Sequence, residues 1–128
     1  MKDSKCIFCK IVAGEAPAYK IYEDKDHLAF LDLFPTAEGQ TLVIPKKHLD
    51  SFFAKAEDDE LARLVIVAKK VANIIVEKLP ARRVILVFEG LDVNHLHAKL
   101  FPDRGISPGL GPKASDSELE SIQKRLTT

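Results

Sequence analysis

Two histidines stand one residue apart in "DVNHLHAKLFP", and a lysine follows at the same spacing. Imidazole is the side chain best suited to acid–base or nucleophilic work near neutral pH. In an extended chain alternate residues share a face. A predicted strand "VNHLHAKLF" therefore puts His95, His97, Lys99 and Phe101 on one side and Leu96, Ala98 and Leu100 on the other, toward a core. Such a polar row attracts phosphate oxygens. The same spacing also describes an ordinary solvated strand face, and the short motif alone does not separate the two.

A second group of candidate residues lies at the N-terminus. Cys6 and Cys9 are three apart, which suits a metal knuckle or two reduced thiols better than a disulfide scaffold. A tetrahedral zinc needs two more ligands, and His48, after "PKK", and His95 are the candidates. His27 has no partner at such a spacing and reads as a surface histidine. Lys46 and Lys47 read first as turn residues.

The elements that must position these groups are short and regular. "GEAPAYKIYED" turns at Gly14 and Pro17 and then extends through Ile21 and Tyr22. "HLAFLDL" and "QTLVIP" are compact apolar strands bounded by Pro and Gly, as is "RVILVFE". Short strands joined by tight turns favour antiparallel pairing. "AEDDELARLVIVAKKVANIIVEKLP" is a long helix with acidic residues at its start, where the dipole favours them. Leu61, Leu64, Val65, Ala68, Val71, Ala72, Ile75 and Leu79 form its apolar stripe. Ile66, Val67, Ile74 and Val76 fall off that stripe, which predicts either deep burial or a second covering surface. "SDSELESIQKRL" opens with Ser115 three before Glu118, a capping-box pattern, and carries Leu119, Ile122 and Leu126 on one side. The Gly/Pro-rich "FPDRGISPGLGPKAS" is a loop before that helix.

The 128 residues are 46% hydrophobic, enough for one core, and predict a single domain over 1–128. Residues 1–20 form an N-terminal arm and 103–128 a C-terminal loop and helix. Nineteen basic and nineteen acidic residues balance, so no global field gathers the chain onto nucleic acid or an anionic membrane. No run is apolar enough to span a bilayer. "MKDSKCIFCK" lacks the apolar stretch of a signal peptide, and the expected compartment is the cytoplasm.

"CIFCKIVAGEAPAYKIYEDKDHLAFLDLFPTAEGQTLVIPKKHL" and the later "VNHLHAKLFP" together resemble the histidine-triad (HIT) family of nucleotide-binding proteins, from about Cys6 to Pro102. The resemblance implies an α+β fold with an antiparallel sheet of about five strands, a long helix, a C-terminal helix, and a homodimer. It implies a nucleotide hydrolase or transferase in which His97 attacks the α-phosphorus of a phosphoramidate or dinucleoside polyphosphate, forming a nucleotidyl-histidine, with His95 the first histidine. It implies that Asp32 binds ribose, that Phe30 and Leu33 flank a purine base, and that Gln40 and Asn94 belong to the nucleotide site. It implies a structural zinc on Cys6, Cys9, His48 and His95.

Three positions depart from the family pattern. Lys99 replaces the third histidine, Gln40 a frequent histidine, and "EGLDVN" a Gly-Gln-Ser-like phosphate-binding stretch, bringing Asp92 where it would repel phosphate. Lys99 fits an electrostatic clamp. With the nucleophile position intact this reading comes first; the alternative is a nucleotide-binding module with little turnover, and a zinc-stabilised interaction domain is a third, more remote reading.

Overall fold

The structure is a computed structural model that describes residues 3–103 and 111–127. In chain order its elements are α1 (Ile7–Val12), β1 (Lys20–Glu23), β2 (His27–Leu31), β3 (Thr41–Pro45), a 3-10 turn (Phe53–Lys55), α2 (Asp58–Lys78), β4 (Val84–Val87), β5 (Ala98–Pro102) and α3 (Asp116–Thr127). The five strands form one antiparallel sheet in the order β1-β2-β3-β5-β4. This is the α+β architecture the sequence predicts.

Strand period two gives the sheet two buried faces. Ala29, Val43, Ala98 and Leu100 point to one side and meet Leu64, Val67, Ala68, Val71 and Ile75 of α2. Leu28, Phe30, Leu42 and Ile44 are buried on the sheet beside Cys6, Phe8, Cys9 and Ile11 of the N-terminal arm. Full burial of each such side chain contributes about 1.5–3 kcal/mol. The near-continuous apolar runs of β2 and β3 follow from this double cover.

Helix α2 begins with Asp58, Asp59 and Glu60 in its first turn, complementing the dipole, and ends before Pro80. Leu64, Ala68, Val71 and Ile75 of the predicted stripe are buried, and the face is widened on one side only. Val67 is inside, whereas Val65 is 41% exposed. Ile66 and Val76 remain exposed, so α2 presents apolar surface away from the sheet.

Three further expectations are corrected. His27 is not a surface histidine: it is buried, and Asp24 accepts hydrogen bonds from its backbone N–H at 2.7 Å and its Nδ1 at 3.2 Å. The strand predicted over "VNHLHAKLF" starts only at Ala98, because residues 88–97 form an irregular loop tied to another segment. Helix α1 falls where only an arm was expected; six residues without acidic caps leave no periodic signal. At the C-terminus Ser115 Oγ accepts from the Glu118 N–H at 3.2 Å, as the capping box predicts. Leu119, Ile122 and Leu126 are exposed. Much of the Gly/Pro-rich loop, residues 104–110, lies outside the described residues.

Candidate functional site

The loop between β4 and β5 carries both histidines, and one serine holds it. Ser51 Oγ donates to the Gly90 carbonyl at 2.8 Å, and the Ser51 N–H donates to Asn94 Oδ1 at 2.9 Å. Next to it the Leu96 N–H reaches the Leu49 carbonyl at 2.9 Å. Gly90 has φ of 62°, and a Cβ there would sit 2.7 Å from the Ser51 carbonyl oxygen. Glycine is required by both conformation and space. Asn94 thus has its side-chain oxygen on the loop's own support, and it is not among the cavity-lining residues.

This loop delivers His97 into a cavity of about 450 Å³, a size suited to a small ligand. His97 is 4% exposed. Its Nδ1 lies 2.7 Å from the His95 carbonyl. A carbonyl only accepts, so Nδ1 carries the proton, and in the neutral ring Nε2 keeps its lone pair. Nε2 has no hydrogen bond among the described residues. Phe8 packs edge-on against the ring, with centroids 5.2 Å apart.

The opposite part of the cavity is apolar. Phe30, Leu33, Phe34, Leu42 and Ile11 line it together with Asp32. Asp32 Oδ1 accepts from the Phe34 N–H at 2.9 Å and Oδ2 from Gln40 Nε2 at 2.6 Å. Gln40 is buried behind Asp32 and also accepts from Thr36. It orients the acid and does not line the cavity. Lys99 does line it, with Nζ 3.9 Å from Glu89 Oε1. Glu89 and Asp92 complete the charged part of the wall.

The four metal-ligand candidates converge. The donor atoms of Cys6, Cys9, His48 and His95 lie within 4.8 Å of one another. His95 Nδ1 is 3.4 Å from Cys6 Sγ, 3.5 Å from Cys9 Sγ and 3.3 Å from His48 Nδ1, and Cys9 Sγ is 3.3 Å from His48 Nδ1. Ligands at zinc–sulfur and zinc–nitrogen bond lengths stand about 3.3–3.8 Å apart around a tetrahedron. His95 Nε2 donates to the Pro45 carbonyl at 2.8 Å, which turns an unprotonated Nδ1 toward the thiols. Burial, with lesser contributions from His48 and His97, lowers the His95 pKa to about 4, so the ring is neutral near pH 7. The Asp3 and Cys9 N–H groups donate to the Cys9 and Cys6 sulfurs, both at 3.4 Å, while burial pushes the Cys6 thiol pKa up, so thiolate there calls for a bound cation. The cluster fits a closed four-ligand metal site.

Residues 13–106 match the profile of the HIT domain family. The chain belongs to the HIT domain family. Among similar HIT proteins, a HIT-like protein of Methanocaldococcus jannaschii is 42% identical over 102 residues, 76% of this chain and 78% of its own. The adenosine 5′-monophosphoramidase of Saccharomyces cerevisiae is 35% identical over 127 residues, covering 95% and 78%. A crystal structure of a Streptococcus mutans protein superposes with a TM-score of 0.81 at 31% identity, over 98% of this chain and 87% of that one.

Within this HIT domain some site residues escaped sequence reasoning. Phe8 and Ile11, on the arm before the matched stretch, supply part of the wall. Glu89 gave no signal, because only the pairing of β4 with β5 sets it beside Lys99. Among the described residues no helix is long and apolar enough to cross a membrane.

Proposed function

We propose that the protein is a nucleotide hydrolase or transferase acting at the α-phosphate of a nucleotide conjugate, with His97 as nucleophile. The observation that carries this is the hydrogen bond from His97 Nδ1 to the His95 carbonyl, which leaves Nε2 for the cavity. A purine stacks in the apolar part against Phe30 and Leu33, and Asp32, oriented by Gln40, takes the ribose hydroxyls. Nε2 forms a bond to phosphorus as the bond to the leaving group breaks. The leaving group departs with that electron pair and gains a proton from water. A second water then splits the nitrogen–phosphorus bond, releasing the nucleoside monophosphate and restoring the imidazole. Lys99, at the third position of the histidine row, stabilises the charge on the transferring phosphoryl oxygens.

Asn94 acts through the loop, by holding it to Ser51. A structural zinc on Cys6, Cys9, His48 and His95 fixes the His95 backbone whose carbonyl orients His97. The exposed Ile66 and Val76 on α2 support a homodimer, which sedimentation at micromolar concentration checks.

The experiment is a turnover assay with adenosine and guanosine phosphoramidates and dinucleoside polyphosphates. The expected result is hydrolysis that His97→Ala abolishes, by at least 10³-fold, while mononucleotide binding persists. The Glu89–Lys99 pair favours a second reading, a nucleotide-binding module with little turnover, since it partly neutralises the cation at the third position. Tight binding of mononucleotide without hydrolysis of any conjugate would select that reading.

A further inference from the structure

Helix α3 is exposed along its whole length, and none of its residues is buried. Twelve residues without an alanine make a marginal helix in water, because nucleation is costly and packing supplies most helical stability. Yet the sequence is amphipathic. Leu119, Ile122 and Leu126 recur on one side, and Glu118 and Arg125 flank them. Such a helix holds its shape when its apolar side is covered.

Helix α2 carries a matching bare surface. Ala62, Val65 and Ile66 are exposed on the outward side of its first half. Asp58 and Asp59 precede them by about a turn, and Lys69 and Lys70 follow by about a turn. Asp58, Lys69 and Lys70 have no ion pair among the described residues, and Asp59 meets only Arg63 of its own helix, at 3.5 Å.

The two helices thus read in the same order: acidic, apolar, basic. In α3 the acids are Asp116, Glu118 and Glu120, and the bases are Lys124 and Arg125. Laid parallel, they would set like charges together. Laid antiparallel, the acidic start of α3 meets Lys69 and Lys70, and Arg125 meets Asp58 and Asp59. Leu119 and Ile122 then rest on Val65, Ile66 and Ala62. Within one chain both surfaces are uncovered, with Ile66 56% and Leu119 53% exposed. A second copy related by a two-fold axis covers both at once, and the contact is made twice.

We propose that α3 of one copy docks antiparallel on the outward side of α2 of a second copy. The inference rests on the homodimer reading above and gives that dimer an interface. It does not depend on the nucleotide reading.

Cross-linking of the full chain tests it. Ile66→Cys and Leu119→Cys in the same chain are expected to give a disulfide-linked dimer on a non-reducing gel after mild oxidation with oxidised glutathione. Either variant alone is expected to give none. Both positions are exposed, so the substitutions leave the protomer's core untouched, and Cys6 and Cys9 are buried. In sedimentation equilibrium, Leu119→Asp with Ile122→Asp is expected to weaken association at least tenfold. Arg125→Glu is expected to weaken it about threefold, and Asp58→Arg in the same chain to recover it. A link formed only within one chain, leaving the monomer band while both new thiols are consumed, overturns the proposal. So does a dimer band from Ile66→Cys alone, which sets α2 against α2. A dimer that persists unchanged in the double aspartate variant, with no cross-link, overturns the helix contact and leaves the homodimer standing. A wild-type chain that stays monomeric at all concentrations overturns both.

Discussion

At the residue scale, candidate groups were legible wherever side-chain type and close spacing mark them. His95, His97, Lys99, Cys6 and Cys9 stand out by short intervals, whereas Asp32 is singled out only by the family resemblance, its place before a turn marking an ordinary turn residue. Glu89 did not stand out, since it approaches Lys99 only because Val87, twelve residues before Lys99, pairs with it across the sheet. Gln40 and Asn94 were expected in the nucleotide site from the family resemblance; the structure bonds them to Asp32 and Ser51, partners that no local spacing encodes. Lys99 yields the sharpest residue-level prediction. Lys99→His removes a permanent cation and the contact with Glu89, and kcat should fall by about ten- to a hundredfold with little change in nucleotide affinity. Steady-state kinetics over a substrate panel decides it. A rise in kcat would show that the lysine is a loss rather than a working part.

At the element scale, the long helix followed from periodicity and three strands from apolar runs bounded by turn residues, whereas their ends did not. The strand proposed through both histidines starts only at Ala98, because the Leu49 carbonyl takes the Leu96 N–H that a strand ladder would need and Ser51 ties down Asn94 and Gly90 of the same loop. Burial of His27 was likewise hidden. It depends on Asp24, whose carboxylate collects the Asp26 and His27 N–H groups and the Tyr22 hydroxyl. Burial opposes ionisation of Asp24, but those bonds hold its pKa below the ordinary value. The captured loop predicts a large effect from a small change. In Gly90→Ala the new methyl meets the Ser51 backbone in a conformation unfavourable to alanine, and stability should fall by about 2 kcal/mol or more. Denaturant unfolding measures this. An unchanged midpoint would mean that the Ser51 contacts do not hold the loop.

At the scale of the whole molecule, the sheet is clamped between α2 and the N-terminal arm, and the arm is fastened by the four-donor cluster. Protein purified without added metal should carry about one zinc per chain by elemental analysis. Stripping it with a strong chelator should lower Tm by on the order of 10 °C, recoverable with zinc. An unchanged Tm in metal-free protein would remove the metal from the account. That four residues spread from position 6 to 95 meet at one point could be anticipated only from the family resemblance, because no local spacing encodes it.

The arm has a consequence for how far the shared stretch suffices on its own. Residues 13–106 hold the sheet, α2 and both histidines of the loop, yet Cys6, Phe8 and Cys9 all precede them. A chain trimmed to that stretch would keep its α2-side core and lose the aromatic edge that rests on His97. Its reactive ring would then stand at an open rim, wetted on the flank where a neighbour had sheltered it.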